Sequence, residues 1–282
     1  MYVNKISHYL DDNSIAVLSN TDNIKFLDNV SDNSIDLIVT SPPYNMCKKY
    51  ETKLSIEEYI RKQNEIISIC YKKLKNTGSI CWQVGSIVNR IETLPIDIIL
   101  FPLFKEKKLF LKNRIIWTFG HGLHAKKKFS GRYETILWFT KSEKNYVFNL
   151  DPVRVPQKYP MKKYSDIRRK GNLSCNPLGK NPSDVWDIPN VKNNHIEKTN
   201  HPCQFPVGMI ERLVLALTNE GDSVFDPFSG SGSSVIAAVK NKRRGIGCEI
   251  NRDYYTTSVE RVLKLFDGTL KTRPMNKETL RI

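Results

Sequence analysis

The sequence predicts an α/β fold, with a mostly parallel β-sheet covered by helices on both faces and one inserted lobe. Short apolar runs rich in β-branched residues alternate along the chain with longer stretches in which apolar residues recur at helical spacing. This alternation is typical of βαβ units. Between residues 142 and 200 the periodicity disappears and prolines accumulate, which indicates an insertion between two halves of one core. A chain of 282 residues is long enough for both parts.

The first half of the predicted core, residues 1–141, contains three helices that cover the sheet. Thr21 or Asp22 can cap the first helix through a side-chain oxygen, and Ser55 with Glu58 fits the capping box of the second. The last two strands can pair antiparallel. In order, the elements are a strand at 15–18, a helix ending at Val30, a strand at 35–39, a helix from 55 to a stop at 76–78, a strand at 79–84, a helix at 95–107, and strands at 109–119 and 133–140.

The strand at 35–39 ends abruptly in the segment Thr40-Ser41-Pro42-Pro43-Tyr44-Asn45. Two prolines fix two backbone dihedrals and remove two N–H donors, so this loop is stiff and presents carbonyl oxygens beside a serine hydroxyl and a tyrosine ring. Such a loop can accept hydrogen bonds from an amino group and stack on a flat ring. A nucleobase with an exocyclic amine has both features. Taken alone, the same residues also fit a rigid turn with Tyr44 packed in the core.

Basic residues dominate the middle of the irregular segment 142–200, where they are opposed by a single acid, Asp166. Tyr159 and Tyr164 are interleaved with them. Such a stretch favours phosphate contacts, with the aromatic rings stacking on bases, although a solvated loop has the same composition. The formal net charge of +15 and the isoelectric point of about 9.5 also favour a polyanionic partner. The basic residues are Arg154, Lys158, Lys162, Lys163, Arg168, Arg169 and Lys170.

The second half of the core, residues 201–266, returns to regular periodicity. Pro206 suits the first position of a helix with an apolar stripe. The polar tail, 267–282, is expected to fray. The elements after the first helix are a strand at 223–226, a glycine-rich turn at 227–233, a helix at 234–240, a strand at 244–250 and a helix at 251–265.

The glycine-rich turn between a strand and a helix predicts a ligand site. It lets a ligand approach the backbone and exposes helix N-terminal amides to an anion. Glu249 lies 19 residues after Gly230, at the end of the next strand, where an acid can accept hydrogen bonds from ribose hydroxyls. These features together indicate a nucleoside-cofactor site. Val235 stands where a dinucleotide site would have a third small residue, which disfavours NAD or FAD.

Two segments together carry a family resemblance. Asp226-Pro227-Phe228-Ser229-Gly230-Ser231-Gly232 and Thr40-Ser41-Pro42-Pro43-Tyr44-Asn45 resemble the motifs of the S-adenosylmethionine-dependent DNA amino-methyltransferases, which modify adenine N6 or cytosine N4. The order of the motifs around the irregular segment is that of the family's β group. The resemblance extends from about residue 14 to 265. Further matching segments are 132–138, 179–186 and 201–206.

The resemblance implies a class I, Rossmann-like methyltransferase fold, with a mostly parallel seven-stranded sheet, one antiparallel strand and an inserted target-recognition lobe at 142–200. It also implies S-adenosylmethionine as the cofactor. Asp226 would lie near the methionine ammonium, the turn amides near its carboxylate, and Glu249 on the ribose. Asn20 and Asp22 would line the adenine. The implied cofactor-binding residues are Asn20, Asp22, Asp226, Phe228, Gly230, Ser231, Gly232, Ser233 and Glu249.

The implied reaction is transfer of a methyl group to a base flipped out of double-stranded DNA. Ser41 Oγ and the Pro42 carbonyl would accept hydrogen bonds from the target amine, while Tyr44 stacks on the base. Ser41 favours cytosine N4, because adenine-N6 members more often have aspartate at this position. Adenine N6 is the alternative product, and an inactive DNA-binding relative is a further alternative. The implied catalytic residues are Ser41, Pro42, Pro43 and Tyr44, and the implied DNA-binding residues are Lys126, Lys127, Lys128, Lys162, Lys163, Arg168 and Arg169.

Other methyltransferase classes fit the motif order less well. Pro202-Cys203-Gln204 imitates the nucleophile motif of cytosine-C5 methyltransferases, but it precedes the cofactor turn and no Glu-Asn-Val segment accompanies it. We therefore expect Cys203 to be structural. Protein-glutamine methyltransferases carry their Asn-Pro-Pro-Tyr motif after the cofactor turn, the reverse of the order here. His121 and His124 could bind a metal, but a DNA-facing loop with the adjacent lysines is favoured and no metal is expected.

Composition and targeting signals set the remaining expectations. The six cysteines show no CxxC pair, so we expect them to be reduced and mostly buried. Because the N-terminus lacks an apolar signal segment and no apolar run is long enough to span a bilayer, a cytoplasmic location without membrane contact is predicted. The family resemblance also suggests a homodimer and a restriction-modification system, in which a cognate endonuclease acts on the same sequence.

Overall fold

The computed structural model describes residues 2–46, 53–88, 92–120, 122 and 124–275. Its strands belong to one nine-stranded sheet and one two-stranded hairpin. The hairpin, formed by β5 and β6, is absent from the sequence-based prediction because each strand has only three residues. The strands are β1 (Val3–Ser7), β2 (Ser14–Ser19), β3 (Ile35–Thr40), β4 (Leu74–Val84), β5 (Ser86–Val88), β6 (Thr93–Pro95), β7 (Phe110–Thr118), β8 (Tyr133–Thr140), β9 (Val185–Asp187), β10 (Ser223–Asp226) and β11 (Arg244–Cys248).

The nine-stranded sheet has the order β1-β2-β11-β10-β3-β4-β8-β7-β9. Among its described strands only β8 pairs antiparallel with its neighbours, β4 and β7, so the predicted mostly parallel sheet and the predicted pairing of 109–119 with 133–140 are confirmed. The expected count of seven strands is wrong for the described chain, which adds β1 and β9 at the two edges. Both are short edge strands of five and three residues, too short to show a clear alternation in sequence.

Three helices of the described chain cover each face of the sheet. Buried side chains of α1, α2 and α3 form one apolar cluster with the strands, and those of α4, α5 and α6 form the other. The two-sided cover is the arrangement predicted from the alternation of elements. The helices are α1 (Asn23–Leu27), α2 (Ile56–Lys73), α3 (Ile96–Glu106), α4 (Val207–Leu217), α5 (Ser233–Lys240) and α6 (Arg252–Phe266).

Several predicted element boundaries are wrong. Helix α1 ends at Leu27 and not at Val30, and β11 ends at Cys248 and not at residue 250. Strand β4 begins at Leu74, directly after α2, so residues 76–78 are part of the strand and not a helix stop. Gly78 is needed for close packing instead, since a Cβ there would lie 2.7 Å from a Leu74 side-chain atom and 2.9 Å from the Asp36 carbonyl oxygen. Pro206 is the N-cap of α4, one residue before the predicted position.

The irregular segment 142–200 is only partly separate from the core. Val153, Trp186 and Val191 are buried, and β9 extends the sheet beside β7. An isolated antiparallel bridge joins Val155 to Lys180, so the part that leaves the core is residues 156–179. We call this part the basic excursion.

The polar tail packs against the core as far as residue 275, so the prediction that it frays from residue 267 is wrong for this part. The Arg273 amide donates to the buried Glu197 carboxylate at 2.9 Å. The backbone of Met275 lies so close to Gly208 that a Cβ on this glycine would be 3.0 Å from the Met275 Cα. The Glu197 carboxylate and the close packing at Gly208 therefore hold residues 273–275 against the core, although the polar composition of the tail alone predicted that it frays.

Candidate active site

A cavity of about 590 Å³ opens at the carboxyl ends of the parallel strands. Its walls come from the loops that follow β2, β3, β10 and β11, together with residues of α2 and of segment 201–205. Ligands of open α/β sheets bind at this edge. The cavity therefore lies where the fold class predicts a binding site.

Asp226 joins the two sequence motifs at the floor of this cavity. Strands β3 and β10 are parallel neighbours, so the Thr40 hydroxyl donates to Asp226 Oδ1 at 2.5 Å. The Phe228 amide also donates to Oδ1, at 3.0 Å, and the Ser234 hydroxyl donates to Oδ2 at 2.5 Å. Asp226 is 2% exposed, and its burial raises its pKa to about 6 against the opposing effect of these hydrogen bonds. A desolvated carboxylate with three neutral donors is suited to a cationic ligand group.

The glycine-rich turn that follows β10 needs glycine for conformation and for space. Gly230 and Gly232 have φ angles of +49° and +76°, in the left-handed region that side chains disfavour. A Cβ on Gly230 would lie 2.9 Å from His201 Nε2, and one on Gly232 would lie 2.8 Å from the Ser258 Cβ. The turn thus brings its backbone close to segment 201–205 and to α6.

Glu249 meets the glycine-rich turn, as its spacing from Gly230 predicts. Its Oε2 accepts from the Gly230 amide at 2.9 Å, and its Oε1 accepts from the Asn251 amide at 2.8 Å. Burial raises the pKa of this carboxyl. The Ile250 amide also hydrogen-bonds this carboxylate. Because a carboxylate offers about four lone-pair sites, Glu249 can still accept a hydrogen bond from a ligand in the cavity that it lines.

The remaining predicted cofactor residues divide into two groups. Asp22, Phe228, Ser231 and Ser233 line the cavity, although Asp22 Oδ1 also caps α1 by accepting from the Ile24 amide at 3.0 Å. Asn20 and Gly232 are absent from the described lining. The Asn20 amide group instead donates to the backbone oxygens of Glu249 and Ile250, at 2.8 and 3.2 Å, and so fixes the end of β11.

The predicted catalytic segment forms one wall of the cavity, since Ser41, Pro42, Pro43 and Tyr44 all line it. Tyr44 is nevertheless only 8% exposed. Its hydroxyl lies 2.9 Å from Ser41 Oγ and donates to Gln83 Oε1 at 2.6 Å. The Gln83 amide group in turn donates to Glu134. Gln83 and Glu134 were not predicted as site residues. Gln83 lies in an ordinary strand pattern, and Glu134 lies in the matching segment 132–138 but was given no role.

A third supporting residue missing from the sequence-based prediction is Arg261, which lies beneath the glycine-rich turn. Its Nη1 donates to the Ser231 carbonyl at 2.6 Å and to the hydroxyls of Ser231 and Ser233 at 3.1 Å. Burial lowers the pKa of this guanidinium to about 10. Arg261 is 30 residues beyond Ser231 on α6, and no motif connects the two.

The predicted DNA-binding lysines of the β7–β8 loop lie at the same edge as the cavity. Strand β7 runs in the same direction as β4, so the loop that follows Thr118 opens at the carboxyl ends of the parallel strands. Lys126, Lys127 and Lys128 are exposed, and Lys128 Nζ donates to the Thr93 hydroxyl at 2.8 Å. Their proposed role on phosphates remains a prediction.

The predicted DNA-binding residues of the basic excursion are exposed as well. Within the excursion the chain doubles back on itself, since the Ser174 amide donates to the Lys162 carbonyl at 2.8 Å and the Tyr164 amide to the Asn172 carbonyl at 3.0 Å. Its base at Val155 and Lys180 lies beside the start of α4, where the three share a small cleft. The exposed residues in question are Lys162, Lys163, Arg168 and Arg169.

The predictions about histidines and cysteines can be compared with the structure only for the described residues. His121 and Cys47 are outside the described residues, and His124 is exposed. Cys70, Cys81 and Cys248 are buried free thiols, whereas Cys203 is exposed at the cavity. In the described part of the chain, no group of three metal-binding side chains comes together. No helix within that part is long and apolar enough to cross a membrane.

A family model described as DNA methylase, of the N6/N4 methyltransferase type, matches residues 35–260. Three similar proteins are the Type II methyltransferases M.BglII of Bacillus subtilis and M.ScaI of Streptomyces caespitosus, and the DNA adenine methyltransferase YhdJ of Escherichia coli K12. M.BglII is 51% identical over 83% of this chain, which spans 65% of the length of M.BglII. M.ScaI is 37% identical over 88% of this chain and 82% of its own. YhdJ is 33% identical over 89% of this chain and 83% of its own.

Solved structures support the same fold at lower identity. The cytosine-N4-specific PvuII DNA methyltransferase superposes with a TM-score of 0.69 at 20% identity, over 93% of this chain and 95% of that one. The protein TTHA0409 of Thermus thermophilus, solved in complex with S-adenosyl-L-methionine, gives a TM-score of 0.60 at 23% identity, over 88% and 94% of the two chains. At such identity the likeness concerns the fold alone. The match of the family model to residues 35–260 and the 37% identity to M.ScaI show that this chain belongs to the N6/N4 DNA methylase family.

Proposed function

We propose that this protein transfers a methyl group from S-adenosylmethionine to an exocyclic amino group of a base in double-stranded DNA. The observation that carries the proposal is the hydrogen bond from Thr40 to Asp226, 2.5 Å long. It joins the segment suited to hold an amino group to the segment suited to hold a nucleoside cofactor, and both line one cavity. Membership of the DNA methylase family supports the same reaction.

The cavity fits S-adenosylmethionine by its donors and acceptors. When bound, this cofactor supplies a methyl group already activated on a sulfonium. Asp226 offers a buried carboxylate to the methionine ammonium. The Gly230 and Gly232 amides already donate to Glu249 Oε2 and to the Ser229 carbonyl, so the amides proposed for the cofactor carboxylate are those of Ser231 and Ser233, which line the cavity. Glu249 accepts hydrogen bonds from the ribose hydroxyls through its remaining lone pairs. Asp22, which also lines the cavity, contributes to the adenine side.

The loop after β3 holds the target amine. Ser41 Oγ and the Pro42 carbonyl oxygen accept its two hydrogen bonds, which draws the nitrogen lone pair out of conjugation with the ring. Tyr44 stacks on the base, an interaction of about 1–3 kcal/mol that offsets part of the cost of flipping the base out of the duplex. Correct orientation of the amine lowers the barrier by roughly 7–11 kcal/mol. No covalent intermediate with the protein is required.

Cytosine N4 is the proposed target atom, and adenine N6 is the alternative. Ser41 supports cytosine, because the adenine enzymes of this family more often have aspartate in its place. The 33% identity to a DNA adenine methyltransferase supports the alternative. The complete motifs at 41–44 and 226–232 argue against an inactive relative.

The proposed polymeric substrate is double-stranded DNA held by the two exposed basic regions, the β7–β8 loop and the basic excursion. Similarity to Type II methyltransferases supports a role as the modification enzyme of a restriction-modification system. A homodimer and a cognate endonuclease acting on the same sequence are part of this proposal.

The test is incubation of the purified protein with radiolabelled S-adenosylmethionine and unmethylated double-stranded DNA of mixed sequence. We expect label in the DNA and N4-methylcytosine among its nucleosides by mass spectrometry. Detection of N6-methyladenine instead would change the proposed target base from cytosine to adenine and would leave the proposed methyl transfer to an amino group standing. Absence of label above background, with cofactor binding confirmed by calorimetry, would overturn the proposed function.

A further inference from the structure

Four polar side chains form a continuous hydrogen-bonded chain behind the Ser41 loop. Ser41 Oγ lies 2.9 Å from the Tyr44 hydroxyl, and this hydroxyl lies 2.6 Å from Gln83 Oε1 and 3.3 Å from Glu134 Oε2. Gln83 Nε2 contacts Glu134 Oε2. Gln83 is 2% exposed, so its amide depends on these partners. We call these four residues the Tyr44 network.

The charge of Glu134 fixes the direction of every hydrogen bond in the Tyr44 network. A carboxylate only accepts, so Gln83 must turn its NH₂ group toward Glu134 and its carbonyl oxygen toward Tyr44. The single proton of the Tyr44 hydroxyl then goes to Gln83 or to Glu134, since both present acceptors. Ser41 must therefore donate its own proton to the Tyr44 oxygen.

The consequence is that Ser41 faces the cavity as an acceptor. Its only hydrogen points inward, and its second lone pair is left for a ligand. An exocyclic amine is a donor and matches this lone pair. A neighbouring ring nitrogen such as cytosine N3 is an acceptor and does not match it. A serine free to rotate would serve both.

We propose that Gln83 and Glu134 are positioning residues that orient the Ser41 hydroxyl, through Tyr44, to accept a hydrogen bond from the target amine. The proposal rests on the proposed function. It assigns to Tyr44 a second role, carried by its hydroxyl and separate from stacking of its ring. The two residues act from strands β4 and β8 and make no contact with the reacting atoms.

Two further features of the site support this arrangement. Burial, and next the charge of Glu134, raise the pKa of Tyr44 well above its ordinary value, so its hydroxyl remains a proton donor. Gly85 leaves room for the network, since a Cβ at this position would lie 3.1 Å from the Tyr44 ring and 3.3 Å from Glu134 Oε1.

The first test is the Glu134→Gln variant, which keeps the shape of the side chain and removes the charge that orders the network. With amide side chains at both positions 83 and 134, the hydrogen bonds of the Tyr44 network can reverse their direction. The Ser41 hydroxyl is then no longer restricted to accepting a hydrogen bond from the ligand. We expect the single-turnover rate of methyl transfer to fall about 3- to 10-fold, the effect of one neutral hydrogen bond. The dissociation constant of S-adenosylmethionine should be unchanged. Glu106→Gln, at an exposed glutamate ending α3, is the matched control and should retain the wild-type rate.

The second test exchanges the side chains of Gln83 and Glu134. In the variant Gln83→Glu with Glu134→Gln, the new carboxylate accepts from Tyr44 and from the new amide, so the original direction is restored. We expect the single-turnover rate to recover toward the wild-type value. A wild-type rate in Glu134→Gln, or no recovery in the exchanged variant with an unchanged circular dichroism spectrum, would overturn the positioning role. A wild-type protein that transfers no label would instead overturn the proposed function.

A third variant gives an answer even if the exchanged protein fails to fold. Tyr44→Phe keeps the ring and removes the hydroxyl that connects Ser41 to the other two residues. We expect it to lose rate by a similar factor, and Glu134→Gln should cause no further loss in the Tyr44→Phe background. Independent, multiplicative losses in the double variant would show that Glu134 acts by another route.

Discussion

The cofactor half of the core, residues 201–266, and the basic excursion, residues 156–179, use their side chains in opposite ways. In the cofactor half, polar groups are buried and positioned by specific partners, as Asp226 is by Thr40 and Ser234. In the excursion, the basic side chains are exposed and the regular hydrogen bonds join backbone to backbone. The comparison shows that the cavity is built by fixed geometry, whereas the surface that we propose for a polyanion consists of exposed charges.

The same contrast appears in the apolar residues. Every residue from Ser231 to Val239 is buried, whereas Ile167 in the excursion is 90% exposed. An exposed aliphatic side chain next to two arginines loses nothing by meeting a partner surface and gains when it is covered. We therefore expect single substitutions to have large effects in the cofactor half and small, additive effects in the excursion.

The largest effect that the comparison predicts is for Asp226→Asn. It removes the buried charge proposed to face the methionine ammonium, so the affinity for S-adenosylmethionine should fall about 10- to 100-fold, the range of a hydrogen bond to a charged group. Isothermal titration calorimetry measures this change. Undiminished affinity would mean that the ammonium is held elsewhere.

The pH dependence of stability gives an independent check of the same residue. Because the pKa of Asp226 in the folded protein is about 6, above its ordinary value of 3.8, the fold favours the neutral carboxyl. This contribution to stability is fully present below pH 3.8 and is lost as the pH rises through about 6, a change of roughly 3 kcal/mol. The melting temperature of Asp226→Asn relative to wild type should therefore increase between pH 4 and pH 8. A difference that does not vary with pH would show that Asp226 titrates normally.

The two regions also differ in how far the sequence predicts them. The strands β3 and β10, the two loops after them and the meeting of Glu249 with Gly230 follow from local patterns, because strand ends and glycine turns are encoded by neighbouring residues. Arg261 and the Gln83–Glu134 pair were missed. Each acts across the tertiary structure from within a helix or strand, and no local pattern assigns it a role, although Glu134 lies in the matching segment 132–138.

The basic excursion illustrates the reverse case. Its charge was evident from the sequence, but its boundaries were not, because residues such as Val153 and Trp186 that flank it are buried in the core. A segment rich in prolines has no periodicity from which burial can be inferred. The bridge between Val155 and Lys180 that defines its base joins residues 25 positions apart and becomes visible only in three dimensions.

An intermediate effect is expected from charge removal in the excursion. Changing Lys162, Lys163, Arg168 and Arg169 to alanine should flatten the dependence of log K for DNA on log salt, by as much as roughly 3 to 4 in slope if all four contact phosphates. The affinity for S-adenosylmethionine should not change. Lys144→Ala is the control, since Lys144 follows β8 at the opposite edge of the sheet. An unchanged slope in the fourfold variant would mean that the excursion is only a solvated loop.

The smallest effect is expected for Cys203→Ser, although Cys203 lies in the cofactor half and lines the cavity. Its thiol is exposed, and its backbone amide donates to His201 Nδ1 at 3.2 Å, a contact that serine preserves. If methyl transfer is direct, no thiolate is needed, and the rate should stay within about twofold of wild type, as for other exposed substitutions. Ser41→Ala, at the other wall of the same cavity, should by contrast lower the transfer rate and leave cofactor binding nearly unchanged. An inactive Cys203→Ser protein together with 5-methylcytosine in the product would show that the thiol attacks the ring, and would overturn the amino-methyltransferase mechanism as a whole.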